Sequence, residues 1–221
     1  MLNNLNIKCT LCGCAEVELQ DYKIRNITDD SCKMYKCKNC ETHFMYPLPS
    51  QDLSEYYDGI FREEVHTADY YDYTELDKVF NNFLSEAKLR TERVKNDLSV
   101  NDTILEIGSS VGYFTAAISD YAKDVYATEW DSKARAYIKD RLAKYNIHVA
   151  KNPEDFETKF DKIFMFHVLE HIEKPIDFLK NLKQLLNENG KIYIEVPNVD
   201  DVMLKTFRCR PAYARFSSWH A

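Results

Sequence analysis

The sequence predicts an α/β chain: a doubly wound parallel sheet preceded by a small four-cysteine module. Three observations carry that prediction. Strand-like and helix-like runs alternate from Thr103 to Val196. The first of these strands ends in a glycine turn, Gly108-Ser109-Ser110-Val111-Gly112, that leads straight into a helix. Six of the seven cysteines fall before residue 41.

Taken in order, residues 7–46 form the cysteine-rich unit, and Pro47-Leu48-Pro49-Ser50 punctuates its end. The first domain is therefore expected to span residues 1–50. Residues 51–73 carry Tyr56, Tyr57, Tyr70, Tyr71 and Tyr73. Thr74 to about Leu98 reads as a long helix, because Leu76, Val79, Phe80, Phe83, Leu84 and Ala87 recur at helical spacing. Thr74 and Asp77 resemble a capping pair at its start. Residues 51–98 thus make a tyrosine-rich linker, or lid, and a helix. In residues 99–221, strands are expected at 103–108, 124–129, 147–150, 162–167 and 191–196. Helices are expected at 113–121, 132–145 and 175–186, the last stopped by Asn189-Gly190.

Composition bounds the function. In 221 residues, 45% are hydrophobic, which suffices for a packed core and excludes a wholly disordered chain. The longest apolar runs are short, such as Ile163–Phe166, against the roughly 20 residues that span a bilayer. Residues 1–6 lack the basic and apolar stretches of a secretory leader, so a cytoplasmic location is expected, with no membrane partner. The net charge is −7. Residues 1–50 are neutral, and residues 51–221 hold 23 basic against 30 acidic side chains. That balance opposes a phosphate backbone, so no nucleic-acid partner is expected.

Cys9-Thr10-Leu11-Cys12 and Cys37-Lys38-Asn39-Cys40 are two C-x-x-C pairs with 24 residues between them. Each makes a tight turn that aims two thiolates at one point, and two such turns supply the four corners that Zn²⁺ prefers. A segment of this size buries little core, and a metal supplies the missing stability. The expected role is structural, since four thiolates leave no open position. Cys14 and Cys32 read either as substitute ligands or as small buried residues, and His43 as a surface histidine. A redox pair and disulfides are the competing readings.

The glycine turn carries the most chemistry. Gly108 lets the chain turn sharply out of its strand. Gly112 lets the next helix lie close to the sheet or a ligand, and the loop N–H groups are expected to face that ligand. Glu129 stands 21 residues after Gly108, at the end of the next strand, where a carboxylate can accept both hydroxyls of a ribose. A nicotinamide site would want glycine where Ser110 and Tyr113 stand. A nucleophile elbow is matched literally by Gly108–Gly112, with Ser110 as nucleophile and His171 or His220 as base. That reading leaves Glu106 and Glu129 without a task.

Glu106, Gly108 and Gly112, with Ser110 at the middle glycine position, resemble the E/D-x-G-x-G-x-G motif of class I S-adenosylmethionine-dependent methyltransferases. Phe160–Ile172 resembles that superfamily's fourth-strand motif, and 175–198 its next helix, turn and strand. The likeness covers about residues 100–200. An N-terminal zinc unit on such a domain resembles the branch that includes sugar C-methyltransferases.

This resemblance implies a Rossmann-like doubly wound sheet and S-adenosyl-L-methionine as cofactor. It implies contacts from Glu106, Gly108, Ser110, Gly112, Tyr113, Glu129, Trp130, His167 and Val168, and a small-molecule acceptor such as a nucleotide-linked sugar. It places His171 on the loop above the sheet, where a substrate proton could be removed. One N-terminal tyrosine would line the pocket. The family's C-terminal antiparallel strands do not fit in the residues after Pro197, so an open edge and self-association are expected, with Phe207, Tyr213, Phe216 and Trp219 available to cover it. Two other classes stay in view: a serine hydrolase using Ser110, and a binding module without turnover.

Overall fold

The computed structural model describes residues 7–21, 24–25, 32–47, 53–59, 74–199 and 216–217. The chain divides into two compact units: Met1–Ser50 with His167–Lys183 and Val196–Ala221, and Gln51–Phe166 with Gln184–Glu195.

In the first unit, β1 (Val17–Gln20), β3 (Lys33–Cys37) and β4 (His43–Tyr46) form an antiparallel sheet in the order β1-β3-β4. A short strand β2 (Ile24–Arg25) pairs in parallel with Phe216–Ser217. Alternation along β3 and β4 sends Cys37 and Phe44 into a small cluster with Cys9, edged by Val17, Tyr35 and Tyr46. That cluster is too small to hold a unit by itself.

The second unit begins with α1 (Leu53–Gly59) and α2 (Leu76–Val94). The anticipated face of α2 is the buried one: Val79, Phe80 and Ala87 are in the core. The capping pair does not form. Glu75 is the N-cap and makes no side-chain cap bond. The Asp77 carboxylate instead accepts Tyr137 Oη at 2.9 Å and Arg141 Nη2 at 2.8 Å. A tertiary pair of donors has displaced a local one.

Then come β5 (Thr103–Ile107), α3 (Tyr113–Ile118), β6 (Asp124–Thr128), α4 (Ser132–Arg141), β7 (Ile147–Ala150) and β8 (Phe160–Phe166). α5 (Pro175–Gln184) and β9 (Leu186–Glu195) complete the alternation. The five strands are parallel in the order β7-β6-β5-β8-β9. The central strands are apolar on both faces, as strands covered on both sides must be. Ile104, Leu105, Ile163, Phe164 and Met165 are fully buried. Phe114 of α3 is also core, its ring 5.1 Å from Phe164 and 4.6 Å from Phe166. Burying a phenylalanine contributes about 1.5–3 kcal/mol.

Strand order reverses between β5 and β8. In such sheets ligands bind beyond the carboxyl ends of the strands at that reversal. The structure corrects one boundary. α5 ends at Gln184 and β9 already begins at Leu186, because Phe160 pairs with Leu186 while Lys162 pairs with Lys191. The Asn189-Gly190 turn is an irregularity inside the strand, with Asn189 at φ 65°. Among the described residues no helix is long and apolar enough to cross a membrane. Tyr70, Tyr71, Tyr73, Phe207, Cys209, Tyr213, Trp219 and His220 lie outside the described residues.

Candidate functional sites

The two C-x-x-C turns converge. The sulfurs of Cys9, Cys12, Cys37 and Cys40 all lie within 4.8 Å of one another. Cys9 and Cys40 are 3.6 Å apart, and Cys12 and Cys37 3.5 Å. Metal–thiolate bonds of about 2.3 Å in a tetrahedron put sulfurs about 3.8 Å apart, so the donor set fits one such ion. The turns are built alike. Gly13 N–H donates to Cys9 O at 2.9 Å, and Glu41 N–H to Cys37 O at 3.0 Å. Both closing residues are left-handed, Gly13 at φ 72° and Glu41 at φ 60°.

Burial pushes the Cys9 thiol up to about 12. The backbone N–H of Cys14 and the Asn39 amide pull Cys12 down to about 6. The six described cysteines are all free of disulfides. Cys14 and Cys32 stand outside the group of four: the Cys14 sulfur accepts Glu16 N–H at 3.4 Å, and Cys32 is buried. His43 is also outside it and lies half-buried on β4.

The glycine loop closes the carboxyl end of β5. Gly108, Ser110 and Gly112 all have left-handed backbones, with φ of 71°, 49° and 76°. Gly112 is needed for packing. A Cβ there would stand 3.0 Å from Ile138 of α4 and from Leu142, the residue that caps α4 at its C-terminus, so the close approach is to that helix. The loop N–H groups are mostly turned inward, which differs from the sequence expectation. Those of Gly108 and Ser109 donate to Thr128 O at 2.9 and 3.0 Å, and that of Gly112 donates to Ser109 O at 2.8 Å. The Ser110 N–H meets Glu129 Oε2 at 2.7 Å, while Glu129 Oε1 accepts Asp131 N–H at 3.0 Å. Parallel pairing of β5 with β6 puts the loop and Glu129 side by side. One polar atom of the loop is orphaned. Ser109 Oγ is buried without a hydrogen-bond partner among the described residues. A buried hydroxyl in that state wants a ligand atom. Sequence reading passed over Ser109; its place beside Gly108 was the only available signal.

Around this loop, Glu106 is buried and accepts the Thr115 hydroxyl. Burial pushes its carboxyl up to about 8. Tyr113 stacks on Phe83 at 5.4 Å. Trp130 follows Glu129 with Tyr57 of α1 6.2 Å away, and α1 is tied there by Asp58, which accepts Ser132 N–H at 2.6 Å. Asp131 caps α4 by accepting Lys133 N–H and Ala134 N–H. Arg90 of α2 is buried. Its guanidinium pairs with Glu86 at 2.8 Å and with Glu195, and lies 4.6 Å over the Phe166 ring.

His167 and Val168 follow β8 directly, and His171 closes the 3₁₀ turn Leu169–His171 through its N–H to Val168 O at 3.0 Å. These three belong to the first compact unit, whereas Glu106, the glycine loop, Tyr113, Glu129 and Trp130 belong to the second.

A profile described as a methyltransferase domain matches residues 72–221. Among curated proteins, a tRNA U34 carboxymethyltransferase of Campylobacter hominis is 27% identical over 124 residues, 52% of this chain and 43% of that protein. A probable S-adenosylmethionine-dependent methyltransferase of Mycobacterium tuberculosis is 26% identical over 98 residues, 43% of this chain and 35% of that protein. The chain thus spans less than half the length of these relatives. Among solved structures, the plantazolicin methyltransferase BpumL, in complex with a pentazolic desmethylPZN analogue and S-adenosylhomocysteine, superposes with a TM-score of 0.50 at 21% identity. It covers 70% of this chain and 61% of that one, and shows a shared fold.

Proposed function

The chain belongs to the methyltransferase-domain family, and on that premise we propose that it is an S-adenosylmethionine-dependent methyltransferase acting on a small molecule. The observation that carries this reading is the glycine loop held against Glu129, with the orphaned Ser109 hydroxyl beside it. When bound, S-adenosylmethionine supplies a methyl group activated by a sulfonium. Glu129 is the residue that would hold the ribose diol, with Trp130 beside the adenine. Gly108, Ser110, Gly112 and Tyr113 shape the loop and helix that carry these groups, and Ser109 offers one further hydroxyl. Glu106 supports the loop from beneath through Thr115. His167 and Val168 belong to the cofactor's methionine end in this reading. The chemistry asks the protein mainly for positioning, and, where the acceptor must lose a proton, for a base, the role this reading gives to His171.

A small acceptor is supported by charge. Residues 51–221 hold 23 basic against 30 acidic side chains, which repels a phosphate backbone. A nucleotide-linked sugar is the acceptor class we infer from the cysteine module joined to this domain. For the four cysteines we propose a structural Zn²⁺, supported by the closed thiolate set. A cytoplasmic setting agrees with free thiols.

Calorimetry tests the cofactor. S-adenosylhomocysteine should bind and NAD should not compete. Methyl transfer is then followed from labelled S-adenosylmethionine into small-molecule and tRNA fractions of the source cell. Label in tRNA would overturn the acceptor class. Fluorophosphonate labelling at Ser110, with no S-adenosylhomocysteine binding, would establish the hydrolase alternative. Binding without transfer would favour the non-catalytic module.

A further inference from the structure

We propose that α1 completes the purine end of the cofactor site: Tyr57 sets the orientation of the Trp130 indole, and Asp58 latches the helix to the start of α4. This rests on the methyltransferase reading above and deepens it, and every residue involved lies in the second compact unit. Three observations meet here. The ring of Tyr57 lies 6.2 Å from that of Trp130, tilted by 54°. Asp58 Oδ1 accepts the Ser132 N–H at 2.6 Å across 74 residues of sequence. Arg135 Nη1 donates to the carbonyls of Glu129 and Trp130 at 2.7 and 2.6 Å.

Each contact constrains a different part of the pair. Asp131 caps α4 through the N–H groups of Lys133 and Ala134, which leaves the first donor of the helix, the Ser132 N–H, to be met from elsewhere. Asp58 meets it, and a carboxylate is favoured at a helix N-terminus. Its hydrogen bonds to Ser132 hold the Asp58 carboxyl below the usual carboxylate range, and the charges of Arg135 and Lys151 add to the effect. The latch is therefore ionised at neutral pH. With 7 residues, α1 is too short to persist alone, so its place is set by such contacts. Arg135 fixes the peptide groups on either side of Trp130, and the indole keeps only its side-chain torsions. A second ring packed against it at a tilt, at a separation that aromatic pairs favour, restricts those torsions. An indole held in one orientation presents a fixed surface to a purine and spares the ligand the cost of ordering it. Tyr57 acts through Trp130 and is a positioning residue.

Calorimetry with two probes, S-adenosylhomocysteine and adenosine, tests this. Tyr57→Ala should weaken both by the same factor, about 2- to 12-fold, because the loss falls on the purine they share. Tyr57→Phe keeps the ring and should bind both as wild type does. Asp58→Ala releases α1 and should weaken both by about 3- to 10-fold. In a Trp130→Leu background, Tyr57→Ala should cost nothing further, since its effect passes through the indole. Should Tyr57→Ala fail to fold, Tyr57→Leu keeps apolar bulk without the ring and carries the same expectations.

A ligand-independent readout is tryptophan emission. The chain has 2 tryptophans, so Trp219→Phe leaves Trp130 as the only emitter. In that background Tyr57→Ala and Asp58→Ala should each red-shift the emission, as the indole gains water, and Tyr57→Phe should not. Emission unmoved by Tyr57→Ala, unchanged binding of both probes in that variant, or a full further loss in the Trp130→Leu background would overturn the proposal. Failure of wild type to bind S-adenosylhomocysteine would overturn the methyltransferase reading instead, with the emission result still deciding whether Tyr57 and Asp58 orient the indole.

Discussion

The carboxylate of Glu129 holds the backbone of Ser110: Oε2 accepts the Ser110 N–H at 2.7 Å across 19 residues of sequence. The same side chain takes Asp131 N–H with its other oxygen. Glu129 therefore braces the glycine loop of β5 from the end of β6, and does so with the atoms that would also meet a ribose. A carboxylate oxygen has two lone pairs, so bracing and ligand binding are compatible.

Glu129→Ala removes both functions. S-adenosylhomocysteine affinity should fall about 10- to 150-fold in calorimetry, equivalent to about 1.5–3 kcal/mol. Glu129→Gln keeps one acceptor oxygen for the Ser110 N–H and should lose less. Unchanged binding in the alanine variant would remove Glu129 from the cofactor site.

Gly112→Ala meets two obstacles. The backbone is left-handed at φ 76°, and the new methyl would stand 3.0 Å from Ile138 and Leu142. Overpacking and backbone strain together should cost about 2–4 kcal/mol, seen as an earlier thermal transition. A variant as stable as wild type would show that α4 can yield.

Metal analysis should find about one Zn²⁺ per chain. Cys9→Ser or Cys40→Ser should release it and unfold the 7–47 sheet, followed by amide exchange. Cys14→Ser should leave metal content unchanged, because Cys14 stands outside the four. A metal-free wild type with that sheet intact would defeat the assignment.

Glu106 makes stability depend on pH in an unusual direction for a carboxyl. Its folded value, pushed up to about 8 by burial, lies above the ordinary value of 4.5. Between these limits the folded state binds more protons than the unfolded state, so stability falls as pH rises. The contribution is fully present below about pH 4.5 and is lost by about pH 8. Glu106→Gln, which retains an acceptor for Thr115, should flatten the fall in denaturant midpoint between pH 5 and pH 8. An unchanged slope would show that another group titrates.

Much of the fold was legible because it is local. The apolar periods of β5 and α2 and the paired C-x-x-C turns are read within ten residues of chain. From α2 onward each element was anticipated within a few residues, save at β9, where the register change against Phe160 sets the boundary; β1 to β4 and α1 were not read from the sequence. Thr74 and Asp77 show the limit. Their spacing suits a cap, yet the carboxylate goes to Tyr137 and Arg141, 60 and 64 residues away, donors that no window around Thr74 contains.

By itself, then, the sequence determined the order of strands and helices from α2 to β9, the metal-competent cysteine spacing and the acid one strand beyond a glycine turn. All three depend on near neighbours and on side-chain chemistry. Tertiary structure alone decided that Glu129 braces Ser110, that Gly112 serves packing against α4, that the Ser109 hydroxyl has no partner among the described residues and that Glu106 lies sealed from water. Those outcomes depend on which strands lie side by side and on how much solvent they exclude, and neither is a property of any short stretch of chain.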